Sequence, residues 1–269
     1  MFYPKGLRQA RELEYASRQF NSIEINASFY RLQTAGSYQT WYAQTPTEFL
    51  FAVKGGRFIT HMKKLREVEQ PLANFFASGV LLLKEKLGPI LWQFPPNLGF
   101  DEQRFDAFFQ LLPKDTRQAA LLARHHNQKV TEPITQTDTQ RPLRYAVEIR
   151  HDTYLTPAFV RLLRKYNIAL VFADTAGLFP YTEDVTADFI YIRLHGAEQI
   201  YWSGYSDAML DWWAARIHAW AHGSQPPNAK TVAESLDDRR PRDIYVYFDN
   251  DANVRAPFDA MTLAQKVRK

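Results

Sequence analysis

The chain has 269 residues, 46% of them hydrophobic and 23% charged, with a formal net charge of +4 and no cysteine. Such proportions suit a globular chain long enough to bury a large core, and the lack of thiols excludes a disulfide framework, a zinc ribbon and a cysteine nucleophile. No apolar run approaches the about 18 residues that span a bilayer, and the opening MFYPKGLRQARELEYASRQF has neither the apolar core nor the cleavage site of a signal peptide; the expectation is a cytoplasmic protein with no membrane partner.

Leu7–Phe20 has helical spacing, with Leu7, Ala10, Leu13, Tyr15 and Ala16 toward one side. Ser22–Asn26 then reads as a strand in which Ile23 and Ile25 alternate with Glu24 and Asn26. Phe49–Lys54 repeats the pattern, with Phe51 and Val53 apolar and Lys54 at its end. Gly55-Gly56 follows this strand, but the rest of a glycine-rich phosphate fingerprint is missing. A third strand, Pro89–Phe94, carries Gln93, and Phe105–Leu112 returns to helical spacing. Residues 124–141 are polar without period and read as a loop insertion, in which His125-His126 is a solvated pair rather than a metal site.

Tyr145–Arg150 is the fourth strand, with Val147 and Ile149 alternating with Glu148 and Arg150. Pro157–Tyr166 is helical, its proline in the first turn where no N–H is needed. Ala169–Asp174 and Phe189–His195 follow as strands; in the second, Ile192 and Leu194 alternate with Arg193 and His195. Met209–His222 is a helix, and Trp202, Trp212, Trp213 and Trp220, on or near it, are expected in the core. Residues 223–242, with Pro-Pro and a charge run, read as a second loop insertion. Ile244–Asn250 is the seventh strand, where either Asp249 or Asn250 is the inward residue, and Pro257 opens the last helix.

Seven strands separated by helices imply an α/β fold with parallel pairing. Without a phosphate fingerprint, a single TIM-type (β/α) barrel domain over residues 1–269 fits better than an open doubly wound sheet. In such a barrel the apolar set of each strand faces the helices and the polar set faces the axis. Glu24, Asn26, Lys54, Gln93, Glu148, Arg150, Asp174, Arg193, His195 and Asn250 are therefore expected to converge at the C-terminal mouth, where barrel enzymes keep their active sites. Burying so many polar groups costs several kcal/mol each unless they are paired or solvated, so a ligand site is expected.

Glu24, Glu148, Asp174 and His195 are the candidate catalytic groups for proton transfer, with Asp174 or Glu24 orienting His195. Asn26, Lys54, Gln93, Arg150, Arg193 and Asn250 are the candidate ligand-binding groups. The planar fork of arginine suits a small anion, a phosphate or a carboxylate, and the matching reactions are those of a hydrolase, lyase or isomerase. Magnesium or manganese on Glu24, Glu148, Asp174 and His195 would be opposed by the three cations nearby, so metal and cofactor stay unassigned. A nucleic-acid-binding or endonuclease-like barrel is the second reading, supported by abundant aromatics and weakened by basic residues spread along the chain. A non-catalytic ligand sensor is the third, since fold does not fix function.

The segments FNSIEINASFYRL, FAVKGGRFITH, LGPILWQFPPNL, YAVEIRHDTY, ADTAG, YIRLHG and YVYFDNDANVRAPFDAMTL, in this order, resemble the YecE-like family, also called domain of unknown function 72. The resemblance covers nearly the whole chain. It implies a TIM-type barrel and no established reaction. It also implies that the family's first strand, a segment similar to Gly-Thr-Ser-Gly-Trp-Ser-Tyr before Phe-Tyr-Pro, is absent here, where Phe2-Tyr3-Pro4 follows Met1 directly; Met1 is then expected to be an internal start. Asp249 stands where the family commonly has asparagine, adding negative charge beside the mouth.

Overall fold

The β-branched and aromatic runs form seven strands, β1 (Ser22–Ile25), β2 (Leu50–Lys54), β3 (Leu87–Gln93), β4 (Tyr145–Glu148), β5 (Ile168–Asp174), β6 (Phe189–Leu194) and β7 (Asp243–Phe248). They are neighbours in chain order in one sheet, and the fold class is the α/β barrel of TIM type. This computed structural model describes residues 1–236 and 238–268; Asp237, inside the expected 223–242 loop, and Lys269 lie outside the described residues. Two compact units divide the chain, an N-terminal one of Leu7–Ala146 and a C-terminal one of Val147–Lys269 with Met1–Gly6.

In the N-terminal unit β1, β2 and β3 pair in parallel, with Ile25 opposite Val53 and Lys54 opposite Leu91. Its helices are α1 (Glu12–Ala16), α2 (Ala27–Tyr30), α3 (Ala35–Gln44), α4 (Glu69–Ala77), α5 (Glu102–Leu111) and α6 (Thr116–Ala123). The carboxylates of Asp101 and Asp115 cap α5 and α6 by accepting from the backbone N–H of Arg104 and Gln118. Gly55 follows β2 against the buried Trp92; a Cβ there would stand 2.1 Å from the indole, so the close approach of backbone to ring leaves no room for a side chain.

In the C-terminal unit, α7 (Pro157–Tyr166) starts at Thr156, whose hydroxyl accepts from the N–H of Phe159, and ends at Asn167 in the left-handed region. The remaining helices are α8 (Asp207–Ala221) and α9 (Ala256–Val267), the latter with Pro257 in its first turn. β5, β6 and β7 pair in parallel, with Ala173 opposite Arg193 and Arg193 opposite Tyr247. Side chains sort by parity as the alternation predicts. Ile190, Ile192 and Leu194 pack with Phe172 against Leu210, Trp213, Ile217 and Trp220 of α8, each such burial contributing roughly 1.5–3 kcal/mol. Tyr191 lies on the opposite face, its ring 5.1 Å from that of Tyr247.

Two expectations about tryptophan need correction. Trp213 and Trp220 are core, but Trp212 is 42% and Trp202 53% exposed. Trp212 instead carries the guanidinium of Arg216, 3.7 Å above its ring, a contact that suits an aromatic at the surface. Residues 223–242 hold neither helix nor strand among the described residues, yet their backbone is anchored. Buried Glu183 accepts from the N–H of Lys230, and buried Asp184 from those of Val232 and Ala233. No helix of the described residues is long and apolar enough to cross a membrane.

Candidate functional site

The C-terminal unit brings four of the sequence-selected residues together. Glu148, at the end of β4 and fully buried, accepts from Arg150 Nε on Oε1 (2.9 Å) and from Arg193 Nη1 on Oε2 (2.5 Å). Arg193, at the end of β6, is equally buried, and its Nη2 donates to Asp249 Oδ2 at 3.1 Å. His195 follows β6, with Nδ1 3.2 Å from Asp249 Oδ2 and Nε2 3.7 Å from Glu148 Oε2. Two carboxylates thus bracket one imidazole and one guanidinium. Arg150 and Asp249 form the accessible edge, with side chains 13% and 29% exposed.

Electrostatics follow from that arrangement. Burial pushes the Glu148 carboxyl up, but Arg193, His195 and Arg150 outweigh it and hold the group well below the usual carboxylate range. Burial works against the charged form of His195; Asp249 and Glu148 together outweigh it, and the imidazole sits above its ordinary value. Asp249 is the carboxylate beside His195 Nδ1, a position for which sequence reasoning favoured Asp174 or Glu24.

Asp174 and Asn250 lie in a neighbouring network of the same unit. Burial raises the Asp174 carboxyl, although the Ala176 N–H and the Tyr205 hydroxyl bond to it. Asn250 Nδ2 donates to Ser203 O and to Asp259 Oδ2, while its buried Oδ1 has no hydrogen-bond partner. The alternation of β7 alone does not fix whether Asp249 or Asn250 turns inward; in the structure Asp249 meets Arg193 and His195, and Asn250 meets Asp259.

Tyr201 is a site residue that sequence reasoning missed. Its hydroxyl accepts from Arg150 Nη2 at 3.4 Å and its ring meets the His195 ring edge-on at 5.5 Å. A φ of 64° holds it there, an unfavourable backbone for an aromatic residue. Phe179 was missed as well; Arg150 lies over its ring at 4.6 Å. Neither residue stands in a strand, so no alternation could have flagged them.

Glu24, Asn26, Lys54 and Gln93 belong to the N-terminal unit. Lys54 is buried with Nζ 4.5 Å from the Phe29 ring centroid, and its carbonyl accepts from Ser28 Oγ. Gln93 is buried at the end of β3, Glu24 is half-buried in β1, and Asn26 has left the strand and precedes α2. Among the described residues no group of three His, Asp or Glu side chains is arranged to hold a metal ion.

The family model described as "Protein of unknown function DUF72" matches residues 1–269. The UPF0759 protein YunF of Bacillus subtilis (strain 168) is 32% identical over 99 residues, which is 35% of this chain and 35% of that protein; the match therefore spans about a third of that relative's length. A DUF72 family protein from Thermotoga maritima superposes with a TM-score of 0.73 at 22% identity, covering 99% of this chain and 93% of that one. One from Enterococcus faecalis gives 0.70 at 16% identity, covering 98% and 90%. At those identities the solved structures support the fold alone.

Proposed function

Because this chain belongs to the DUF72, or YecE-like, family of unknown function, we propose from its own residues that it is an enzyme of small anionic substrates, phosphate or carboxylate bearing. The observation that carries this reading is the buried Glu148–Arg193–His195–Asp249 cluster with Arg150 at its edge. A layer needed only for stability would be cheaper as Val, Ile and Leu, since buried ion pairs rarely exceed the hydrophobic alternative.

In this reading the substrate anion meets Arg150, and Arg193 supports it from behind. His195 is the proton donor; Asp249 and Glu148 favour its charged form against burial and the neighbouring Arg193, raising it above the ordinary imidazole value. Glu148, committed to both arginines, stays ionised and orients them rather than moving a proton itself. Hydrolase, lyase and isomerase chemistry all fit a positioned acid beside an anion clamp. A chain without cysteine needs no oxidising compartment, and we read its setting as cytoplasmic.

A thermal-shift panel of inorganic phosphate, sugar phosphates and sugar acids tests the reading. At least one anion should raise the melting temperature of the wild type, and Arg150→Ala should remove that shift. His195→Asn should retain binding and lose turnover of the anion identified. A panel in which no anion stabilises the wild type, or in which Arg150→Ala responds equally, contradicts it.

A further inference from the structure

We propose that the N-terminal unit carries a second site, a surface around residues 57–66 that binds single-stranded nucleic acid. The segment after Gly55 is built rather than slack. Phe58–Met62 is a π-helical turn, a rare form concentrated at functional sites. Lys64, Leu65 and Glu67 then take φ of 48°, 66° and 51°, strain that persists only where the surroundings over-determine it. Ile59, Thr60, Leu65 and Val68 are buried and fix the turn.

What the turn presents is cationic and aromatic together. Tyr30 is 67%, Phe58 39% and Met62 65% exposed. Arg57 lies over the Tyr30 ring at 5.7 Å, and Lys129 over the Phe58 ring at 5.1 Å. Arg66 is exposed in the same segment, Lys64 Nζ donates to Asn97 O at 3.4 Å, and the one acidic side chain of the turn, Glu67, is paired with Lys63 at 2.8 Å. Read linearly, basic residues look dispersed; folding brings Lys129 of the 124–141 loop beside the 57–66 cluster. Unstacked bases lie on aromatic rings whatever their sequence, and phosphates follow the cations alongside. The ligand chemistry is thus a flexible phosphodiester chain with exposed bases, whose affinity comes from stacking and charge together.

Fluorescence anisotropy of a labelled oligothymidylate with the full chain tests this, and uses no residue of the Glu148 cluster. Affinity should fall steeply with salt, with a log–log slope of about −0.7 for each phosphate neutralised. Arg57→Ala with Arg66→Ala should weaken binding and flatten that slope. Tyr30→Ala with Phe58→Ala, both at exposed positions, should weaken binding by roughly thirtyfold or more and leave the slope unchanged. Absence of binding at low salt overturns the proposal. So does equal affinity for a duplex of the same length, or an aromatic double variant that binds as tightly as the wild type; either result leaves only general attraction for polyanions.

Discussion

Glu148 is the residue on which the C-terminal cluster turns, because it is the shared acceptor of Arg150 and Arg193. Glu148→Gln keeps the shape and removes the charge, leaving Arg193 buried beside a neutral amide. Breaking a buried pair from one side costs about 3–5 kcal/mol, and the retained amide oxygen should place this variant near the lower value in urea denaturation. A loss below about 0.5 kcal/mol, the range of an ordinary surface substitution, would show that the carboxylate is not the anchor. Loss of activity in this variant is therefore interpretable only alongside its stability, which is why Arg150 and His195 are the better functional probes.

The pH dependence has two sides. His195 titrates above its ordinary 6.5, so its contribution is complete below 6.5 and disappears as pH rises through the folded value. Glu148 titrates well below its ordinary 4.5, so its contribution is complete above 4.5 and is lost as pH falls through that low value. The stability difference between wild type and His195→Asn should then shrink as pH is raised past 6.5, measured by denaturant midpoints across a pH series. A difference that stays constant or grows with pH would contradict the ion-bracketed imidazole.

Among elements, Pro157–Tyr166 was legible from its helical spacing and first-turn proline, and the structure adds a threonine cap and a buried stripe of Phe159, Val160, Leu162 and Leu163. Thr156→Ala should cost about 1 kcal/mol by removing the hydroxyl that accepts from Phe159 N–H, seen as a lowered melting temperature; no change would mean the cap is idle. β4, β6 and β7 were legible from alternation, and so were Glu148, Arg193 and His195 as a group. α3 and α4 were not. In α4 the run Leu72–Ala77 is buried on every side, so it has no amphipathic period to read, and in α3 only Ala35 and Tyr38 are buried. Tyr201 was hidden for another reason, since its place depends on a left-handed backbone in a loop. Just after β2, Gly55 gives the matching test of close packing: Gly55→Ala should destabilise by about 1–3 kcal/mol, because the added Cβ would overlap the fully buried Trp92 ring. A neutral Gly55→Ala would mean the indole can move.

For the whole molecule, family and fold class were readable from the order of strands and quoted segments, while the anchoring of residues 223–242 was not. Its composition looks like a solvated loop, and the carboxylates that hold it, Glu183 and Asp184, lie far away in the chain. Asp184→Ala should release the segment and speed its proteolytic cleavage; an unchanged cleavage rate would show that other contacts hold it. The central claim is that the Glu148–Arg193–His195–Asp249 cluster receives an anion at Arg150. Nitrogen-15 NMR of the arginine Nε and histidine ring signals during titration with the best anion of the panel observes those groups directly. Saturable shifts of Arg150 Nε and His195, with the imidazole titrating at still higher pH once the anion is bound, are the predicted result. Signals of Arg150 and His195 that stay fixed while that anion binds elsewhere on the chain would contradict it.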